Sequence, residues 1–391
     1  LPFGASTADL QVVEPSEVLT RAIELDGWAI VPFDALEPRW KVLRIDGLSP
    51  LDRNLDLDAY PLATTLSLGS EDRPDALSML PVGVTNRDTE KMSVVMMTGV
   101  TALPRRTAVT MEREGTTFPG RDIRAWMVEP DITHTSNEVS FADDCPPPTG
   151  ASTMVFCSDP RYFELLEYVD IDVLELTGNH LLDWGVSAME NSLNMYEAHD
   201  LPAFGGGWTL DQAREPLTVT HGVHTFGFVG CNPVGPSYAW ATGERPGAAP
   251  CDYDLLVSQV RDMRERGIIP LVTFQYLEVD RYSPTASQQA DFRAMAAAGA
   301  AIVSGSQAHW PQGFDFHGDG FIHYGLGNLF FDQMQRLEYR QEFLDRHVFY
   351  DGRHVSTELL TAMLEDYARP RPMTPEERSQ LLQTTFAVSE W

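Results

Sequence analysis

The sequence predicts a layered α/β fold with largely parallel strands, preceded by a small N-terminal α/β segment. Three observations support this prediction: short apolar runs recur from residue 92 onward, amphipathic helical stretches separate them, and polar clusters follow their ends. Alternation of strands and helices is typical of a parallel sheet whose faces are covered by helices. A chain of 391 residues is long enough for one large core with an appendage, or for two units.

Seven segments have the length and the apolar content of buried strands. Helices are predicted between them, because apolar residues recur there at helical spacing. The predicted strands are 92–98, 131–135, 172–177, 225–230, 268–274, 300–304 and 321–324. The helical faces comprise Val186, Met189, Leu193 and Tyr196, then Leu256, Val260 and Met263, then Phe292 and Met295 with Gly299 as C-cap.

The N-terminal segment, residues 1–88, is predicted to be an accessory unit. It resembles the closing part of a periplasmic-binding-protein-like lobe, which implies that further residues precede Leu1. The polar stretch 81–91, which contains Pro, Gly and Asn, is the predicted linker. The predicted elements of this segment are a helix at 16–25 capped by Ser16 and strands at 27–33 and 41–45.

The main domain, residues 92–391, is predicted to end in a hairpin and a helix. Strands at 343–350 and 354–360 flank Asp351-Gly352, a pair typical of a tight hairpin turn. Thr374 is expected to cap the last helix, because a proline follows it at the first helical position.

The charge of the chain limits its partners. Lys plus Arg is 28 and Asp plus Glu is 57, so the net charge is −29. Such an acidic surface repels polyanions, which excludes nucleic acid as a partner and favours solubility in an extracellular or salty setting. Attraction of cations or cationic sugars is the alternative interpretation. The sequence contains no apolar run of about 18 residues, so no membrane span is predicted.

The four cysteines indicate two local disulfides rather than a metal knuckle. No Cys-x-x-Cys spacing is present, and the order along the chain favours the pairs Cys145–Cys157 and Cys231–Cys251. Four cysteines allow three pairings, and buried free thiols are the alternative.

Polar clusters follow six of the predicted strands, at one rim of the sheet. Ligands of open α/β sheets bind beyond the carboxyl ends of the strands, so a functional site is predicted at this rim. No phosphate-binding loop and no Gly-x-Ser-x-Gly element is found. The clusters lie at 98–101, 136–138, 177–180, 274–278, 304–309 and 324–328.

Two of these clusters resemble signatures of the CapA family of extracellular polymer-capsule proteins. Segment 176–185, which contains Asn179-His180 and Asp183, is similar to its Asn-His…Asp-x-Gly signature. Segment 324–333 is similar to its closing Ser-Leu-Gly-Asn-Phe-x-Phe-Asp-Gln element. The resemblance covers residues 92–333. It implies a calcineurin-like metallophosphoesterase fold and a role in the cell envelope or capsule.

The sequence departs from the family at the positions that should bind metal. Val100 stands where an Asp is expected, and Gln275 and Gln307 stand where His is expected. A carboxamide is a weak ligand for zinc or manganese and Val offers none, so no dinuclear centre and no resident cofactor are predicted. A single weakly bound divalent cation stays open. The residues that match family positions are Glu138, Asn179, His180, Glu278 and His309.

The retained carboxylates, Glu138 and Glu278, are the predicted reactive pair. Two carboxylates that flank a bond can act as acid and base, or as acid and nucleophile, without metal. His309, His180 and Asn179 are expected to assist them. The alternative is that one Glu only caps a helix or pairs with an Arg. The predicted substrate-binding residues are Trp184, Tyr276, Trp310, Gln275, Gln307 and Asn328, and the alternative for the aromatic rings is loop packing.

The leading functional prediction is a secreted hydrolase, extracellular or in the cell envelope, that acts on a glycan or capsule-like polymer. The family's association with poly-γ-glutamate conflicts with the charge of the chain, because a polyanion would be repelled. A non-catalytic polymer-binding or structural envelope protein on a decayed enzyme scaffold is the rival prediction. The oligomeric state stays open.

Overall fold

Two β-sheets that pack face to face form the centre of the structure. The computed structural model describes residues 11–65, 85–151 and 154–389. Side chains of one strand alternate between the two faces of its sheet. In the first strand, Val95 and Met97 therefore face the second sheet, whereas Met96 faces the helices outside.

The first sheet has nine described strands, and it combines parallel and antiparallel pairs. Parallel pairs join β5, β4 and β3, and β3 is parallel to both β1 and β2. On the other side β14 is parallel to β2, while β15, β16 and β17 continue from β1 as an antiparallel ribbon. The strands are β1 Met92–Thr98, β2 Val100–Thr101, β3 Ile132–Asn137, β4 Val173–Glu175, β5 Ala203–Phe204, β14 Asn328–Phe330, β15 Gln341–Tyr350, β16 Arg353–Glu365 and β17 Arg369–Pro372.

The second sheet has six described strands in the order β12-β13-β11-β10-β8-β7. The four inner strands are parallel, and each edge strand is antiparallel to its neighbour. The strands are β7 Leu217–His221, β8 His224–Cys231, β10 Ile269–Phe274, β11 Ile302–Ser304, β12 Phe314–His317 and β13 Gly320–His323. A separate ribbon consists of β6 Gly206–Gly207 and β9 Gly247–Ala248.

Helices cover the outer faces of both sheets. Met189 and Leu193 pack on the first sheet, and Val260 and Phe292 pack on the second. The described helices are α1 Val18–Glu24, α2 Arg105–Glu114, α3 Arg124–Met127, α4 Phe163–Tyr168, α5 Val186–Ala198, α6 Leu210–Arg214, α7 Tyr253–Glu265, α8 Ala286–Ala298 and α9 Pro375–Phe386.

The predicted layered α/β fold is confirmed, and each of the seven predicted strands is present. The first strand has the predicted bounds, and the ends of the other six differ from the predicted ones by at most two residues. The C-terminal hairpin and helix are also as predicted. The hydroxyl of Thr374 accepts a hydrogen bond from the backbone of Glu377, whose side chain accepts one from the backbone of Thr374.

The predicted strands of the N-terminal segment are wrong. Among residues 11–65, the structure contains α1, short 3-10 turns and one isolated bridge between Ile45 and Leu48. Ile30 and Leu43 are exposed, so no neighbouring strand covers them. The helix begins at Val18 rather than after Ser16, since Pro15–Glu17 forms a 3-10 turn. Residues 1–10 and residues 81–84 of the predicted linker lie outside the described residues.

Both predicted disulfides are present, and they clamp loops at the rim. Cys145 is bonded to Cys157, and Cys231 is bonded to Cys251. The backbone N–H of Gln275 donates to the carbonyl of Cys231, so the second disulfide adjoins the loop after β10. No described helix combines the length and the apolar character that crossing a membrane requires.

Candidate functional site

The candidate site lies where strands of both sheets end. Glu138 directly follows β3, and His180 lies in the loop after β4. Glu278 lies in the loop after β10, and His309 lies in the loop after β11. The first sheet therefore supplies one half of the site and the second sheet supplies the other.

Glycines let the site loops approach one another closely. A Cβ added at Gly178 would lie 2.7 Å from the Cα of Glu138, and one added at Gly305 would lie 1.9 Å from the carbonyl oxygen of Tyr324. Only glycine fits at such distances. The backbone thus brings the loop of Asn179 and His180 directly against Glu138.

The structure brings both predicted carboxylates and both predicted histidines together. One ligand atom from each of Glu138, Glu278 and His309 lies within 4.8 Å of the others. The Nε2 atom of His180 is 3.7 Å from Glu138 Oε1, and the Nε2 atom of His309 is 3.7 Å from Glu278 Oε1. Glu278 makes no ion pair with Arg281 among the described residues, in contrast to the alternative considered for it.

The two carboxylates have different surroundings. Glu138 is 1% exposed, and neither of its carboxylate oxygens has a hydrogen-bond partner in the described part of the chain. Burial raises the pKa of Glu138, and the nearby charges of His180 and His309 only partly oppose this effect. The side chain of Glu278 is 43% exposed. A buried carboxyl beside a solvated one is an arrangement suited to a proton donor and a proton acceptor.

Asp183 orients His180 towards Glu138. Its Oδ2 atom accepts a hydrogen bond of 2.6 Å from Nδ1 of His180 and a second from the backbone of Phe156. Burial alone would lower the pKa of His180, but the bond to Asp183 and the charge of Glu138 outweigh burial and raise it. His180 is therefore held with its Nε2 atom towards the carboxylate.

Asn328 sets the tautomer of His309. Its Nδ2 donates to Gln333 and to the carbonyl of Tyr339, so its Oδ1 is left to accept from Nδ1 of His309 at 2.7 Å. The Nε2 atom of His309 then faces Glu278. Asn328, which the sequence predicted to bind substrate, has both polar atoms engaged within the protein: Oδ1 by His309, and Nδ2 by Gln333 and Tyr339.

A phenylalanine ring packs against the imidazole ring of each of the two histidines. Phe156 lies 4.3 Å from the ring of His180, and Phe331 lies 5.1 Å from the ring of His309. The guanidinium of Arg105 covers both phenyl rings at 4.8 and 4.7 Å. Sequence reasoning missed Phe156 and Arg105, because neither belongs to a recognisable motif and both reach the site through long-range packing.

Three amides of the site carry buried polar atoms without partners. Gln275 and Gln307 are each 1% exposed, and Oε1 of Gln275 and both polar atoms of Gln307 have no hydrogen-bond partner among the described residues. The same holds for Oδ1 of Asn179. Burying unpartnered polar groups costs free energy, so their concentration around Glu138 is typical of a functional site.

The three predicted binding aromatics are engaged in their own loops. Trp184 donates from Nε1 to Asp144, and the hydroxyl of Tyr276 donates to Asp291. Trp310 is buried, and two tyrosine rings contact it edge-on. These contacts are those expected of rings that pack the loops. A role of the three residues in polymer binding stays a prediction.

The donor set does not fit the two cations that the fold family implies. The apolar side chain of Val100 is fully buried at one expected ligand position, and Gln275 and Gln307 offer only amides. A single cation fits, because Glu138 and Glu278 supply carboxylate oxygens and His309 supplies an imidazole nitrogen within one small volume.

Comparison with known proteins identifies relatives of most of the chain. Residues 94–333 match the family model described as "Bacterial capsule synthesis protein PGA_cap". The chain is 26% identical over 259 residues to the "Capsule biosynthesis protein CapA" of Bacillus anthracis, a match that covers 64% of this chain and 62% of that protein. It is 27% identical over 172 residues to the "PGA biosynthesis protein CapA" of Bacillus subtilis, covering 44% of this chain and 45% of that protein.

Solved structures resemble the chain more distantly. NAD nucleotidase of Haemophilus influenzae has a TM-score of 0.43 and 9% identity over 77% of this chain and 57% of its own. TT1561 of Thermus thermophilus has a TM-score of 0.36 and 9% identity over 65% of this chain and 93% of its own. Because the family match extends over more than half of the sequence, the chain belongs to the bacterial capsule synthesis protein family PGA_cap.

Proposed function

We propose that the chain is a secreted hydrolase that acts on an extracellular capsule polymer, with Glu138 and Glu278 as its reactive carboxylates. Family membership supports the polymer as the class of substrate. One observation carries the assignment of the carboxylates. Glu138 is buried with both oxygens unpartnered, and an oxygen of Glu278 lies within 4.8 Å of it.

The different surroundings of the two carboxylates assign their roles. Burial favours the protonated form of Glu138, which can then donate its proton to the leaving group of the cleaved bond. Glu278 is open to solvent and can take a proton from water or attack directly. If the bond is glycosidic, the short separation favours the direct attack of a retaining enzyme, for which carboxyl groups lie about 5–5.5 Å apart.

The neighbouring residues would support this chemistry. The raised pKa of His180 favours a positive charge beside Glu138, His309 faces Glu278, and Asn179, Gln275 and Gln307 offer amide groups to the polymer. A divalent cation held by Glu138, Glu278 and His309 would supply Lewis-acid polarisation of a substrate oxygen.

Charge favours a glycan over a polyanion as the polymer. The chain carries a net charge of −29, so a poly-γ-glutamate chain would be repelled at long range. The substrates to compare are therefore neutral and amino-sugar envelope glycans, with γ-glutamate polymer as the third.

Single carboxylate variants test the proposal. We expect Glu138→Gln and Glu278→Gln each to lower polymer cleavage by at least about 100-fold, since each removes one of two groups that transfer protons. Glu342→Gln is the matched control for a buried carboxylate, because Glu342 is also fully buried without a hydrogen-bond partner. Glu244→Gln is the exposed control. Unchanged cleavage in both site variants would contradict the proposal.

The second candidate is a non-catalytic polymer-binding protein of the cell envelope. Val100, Gln275 and Gln307, which stand where the family has metal ligands, favour it. This candidate predicts that the wild-type chain retains a polymer in a pull-down assay without releasing shorter products. Release of products by the wild type but not by Glu138→Gln would exclude it.

A further inference from the structure

We infer that Glu175 is a positioning residue that ties the two halves of the candidate site together across the sheets. Glu175 is the last residue of β4, and its side chain is completely buried. It lies on the same face of the strand as Val173, whose side chain packs between the two sheets. Its carboxylate therefore lies in the interior, away from the solvent at the rim.

Each carboxylate oxygen of Glu175 holds a different site loop. The hydroxyl of Thr177 donates to Oε1, and the hydroxyl of Ser306 donates to Oε2. Thr177 lies in the loop after β4 of the first sheet and precedes Asn179 and His180 by two and three residues. Ser306 lies in the loop after β11 of the second sheet and directly precedes Gln307.

A third contact anchors the carboxylate from the neighbouring strand. The Nε2 atom of His134 lies 3.1 Å from Oε2 of Glu175, and both side chains are fully buried. The low dielectric of the protein interior strengthens hydrogen bonds between buried groups. The carboxylate is thus fixed from three directions.

This arrangement sets how the two halves of the site face each other. The loop after β4 carries His180, which faces Glu138, and the loop after β11 carries His309, which faces Glu278. These loops belong to different sheets, so backbone pairing within either sheet does not set their separation. Glu175 spans that gap with one side chain, and a small shift of the sheets would change the distance between Glu138 and Glu278.

The position of Glu175 distinguishes it from the reacting groups. It is separated from the rim by Thr177 and Ser306, so it acts through the loops rather than on the polymer. The expected effect of Glu175 on polymer cleavage rests on the proposed function. Its expected effect on the positions of the His180 and His309 rings does not depend on that function.

Loop-specific variants test the inference with a readout that is independent of cleavage. The protein would be labelled with 13C at Cε1 of its histidines, and the signals of His180 and His309 would be assigned from His→Gln variants. We expect Thr177→Val to shift the His180 signal alone, Ser306→Ala to shift the His309 signal alone, and Glu175→Gln to shift both. Thr177→Ser, which keeps the hydroxyl, should restore the wild-type signal.

Thr357→Val is the control for loss of a partly buried hydroxyl away from the site, because the hydroxyl of Thr357 bonds His347 and His354 of the hairpin. It should shift neither signal. Unshifted signals in Thr177→Val and Ser306→Ala would overturn the inference, and these variants decide it even if Glu175→Gln fails to fold. Where the wild type cleaves polymer, Glu175→Gln should lower turnover by about 10- to 100-fold. If the wild type cleaves no polymer, the proposed function is contradicted. The inference about Glu175 is then still decided by the histidine signals.

Discussion

Asp183 illustrates how a single residue controls the state of the site. Its carboxylate accepts from Nδ1 of His180 on one oxygen and from the hydroxyl of Tyr238 on the other. The pKa of His180 is raised because the bond to Asp183 and the charge of Glu138 outweigh the effect of burial. Asp183 therefore keeps His180 charged to a higher pH than an isolated histidine.

Asp183→Asn is expected to lower the pKa of His180, because it removes the negative charge that favours the imidazolium. Without that charge, the effect of burial on the pKa of His180 is opposed by the charges of Glu138 and Glu278. A pH titration of the 13C-labelled His180 signal measures the change. Tyr238→Phe is the matched control, since it removes a bond to Asp183 but keeps the charge. A pKa of His180 that is equal in wild type and Asp183→Asn would contradict this account.

The sequence placed the predicted site residues at one rim, but it did not reveal the residues that support them. Glu138, His180 and Glu278 could be placed at the rim because each follows a recognisable strand end. Arg105 and Glu175 could not be, since their roles depend on contacts with residues far away in sequence, such as Asp332 and Ser306. Contacts of that kind follow from tertiary packing rather than from local pattern.

The hairpin of β15 and β16 places uncharged histidines between the sheets. His347 and His354 have ring centroids 5.4 Å apart, and the ring of Phe321 contacts both. Burial lowers the pKa of His354 to about 3 and that of His347 well below its usual value. His347 and His354 therefore stay neutral in the folded protein at pH values where the same histidines of the unfolded chain, with a pKa near 6.5, bind protons.

Stability is expected to fall as the pH drops below about 6.5, and the loss from His354 should continue to about pH 3. Between pH 6.5 and pH 5 this loss is about 2 kcal/mol, because each pH unit corresponds to about 1.4 kcal/mol. His354→Gln, which cannot be protonated, should remove that part of the pH dependence. Urea unfolding at several pH values tests this, and an identical pH dependence in both proteins would contradict it.

The disulfides are expected to stabilise the loops that flank the site. They link cysteines separated by 12 and 20 residues in sequence. Loops of this size correspond to about 3 kcal/mol of stabilisation each. Reduction should therefore lower the unfolding temperature, and mass mapping without reduction should find Cys145–Cys157 and Cys231–Cys251. Four free thiols in the purified protein would contradict the pairing.

At the level of elements, the sequence predicted the strands that are marked by buried apolar residues. It did not predict the short strands that depend on pairing with a neighbouring strand. Parallel strands such as β1 and β10 are largely apolar runs, so their positions are evident from residue pattern. Short strands such as β2, β14 and β6 have two or three residues and exist only because a partner strand lies beside them. In the N-terminal segment, the apolar runs at 27–33 and 41–45 pair with no neighbouring strand among the described residues, and they form no strand there.

For the whole molecule, the fold brings Glu138, Glu278 and His309 close enough to hold one cation. Val100, Gln275 and Gln307 stand where the sequence analysis expects further metal ligands, so a second cation is not predicted. We expect elemental analysis after gentle purification to find at most one equivalent of zinc, manganese or iron per chain. Two equivalents would show that the amides serve as ligands after all.

The most direct test of the account measures polymer cleavage after complete removal of metal. The protein would be dialysed against a chelator, elemental analysis would verify the removal, and cleavage of envelope glycans and γ-glutamate polymer would be assayed beside Glu138→Gln. We expect the metal-free wild type to retain cleavage of one polymer and Glu138→Gln to lack it. Cleavage that disappears on chelation and returns only with two equivalents of metal, or no cleavage in any state, would contradict a hydrolase based on Glu138 and Glu278.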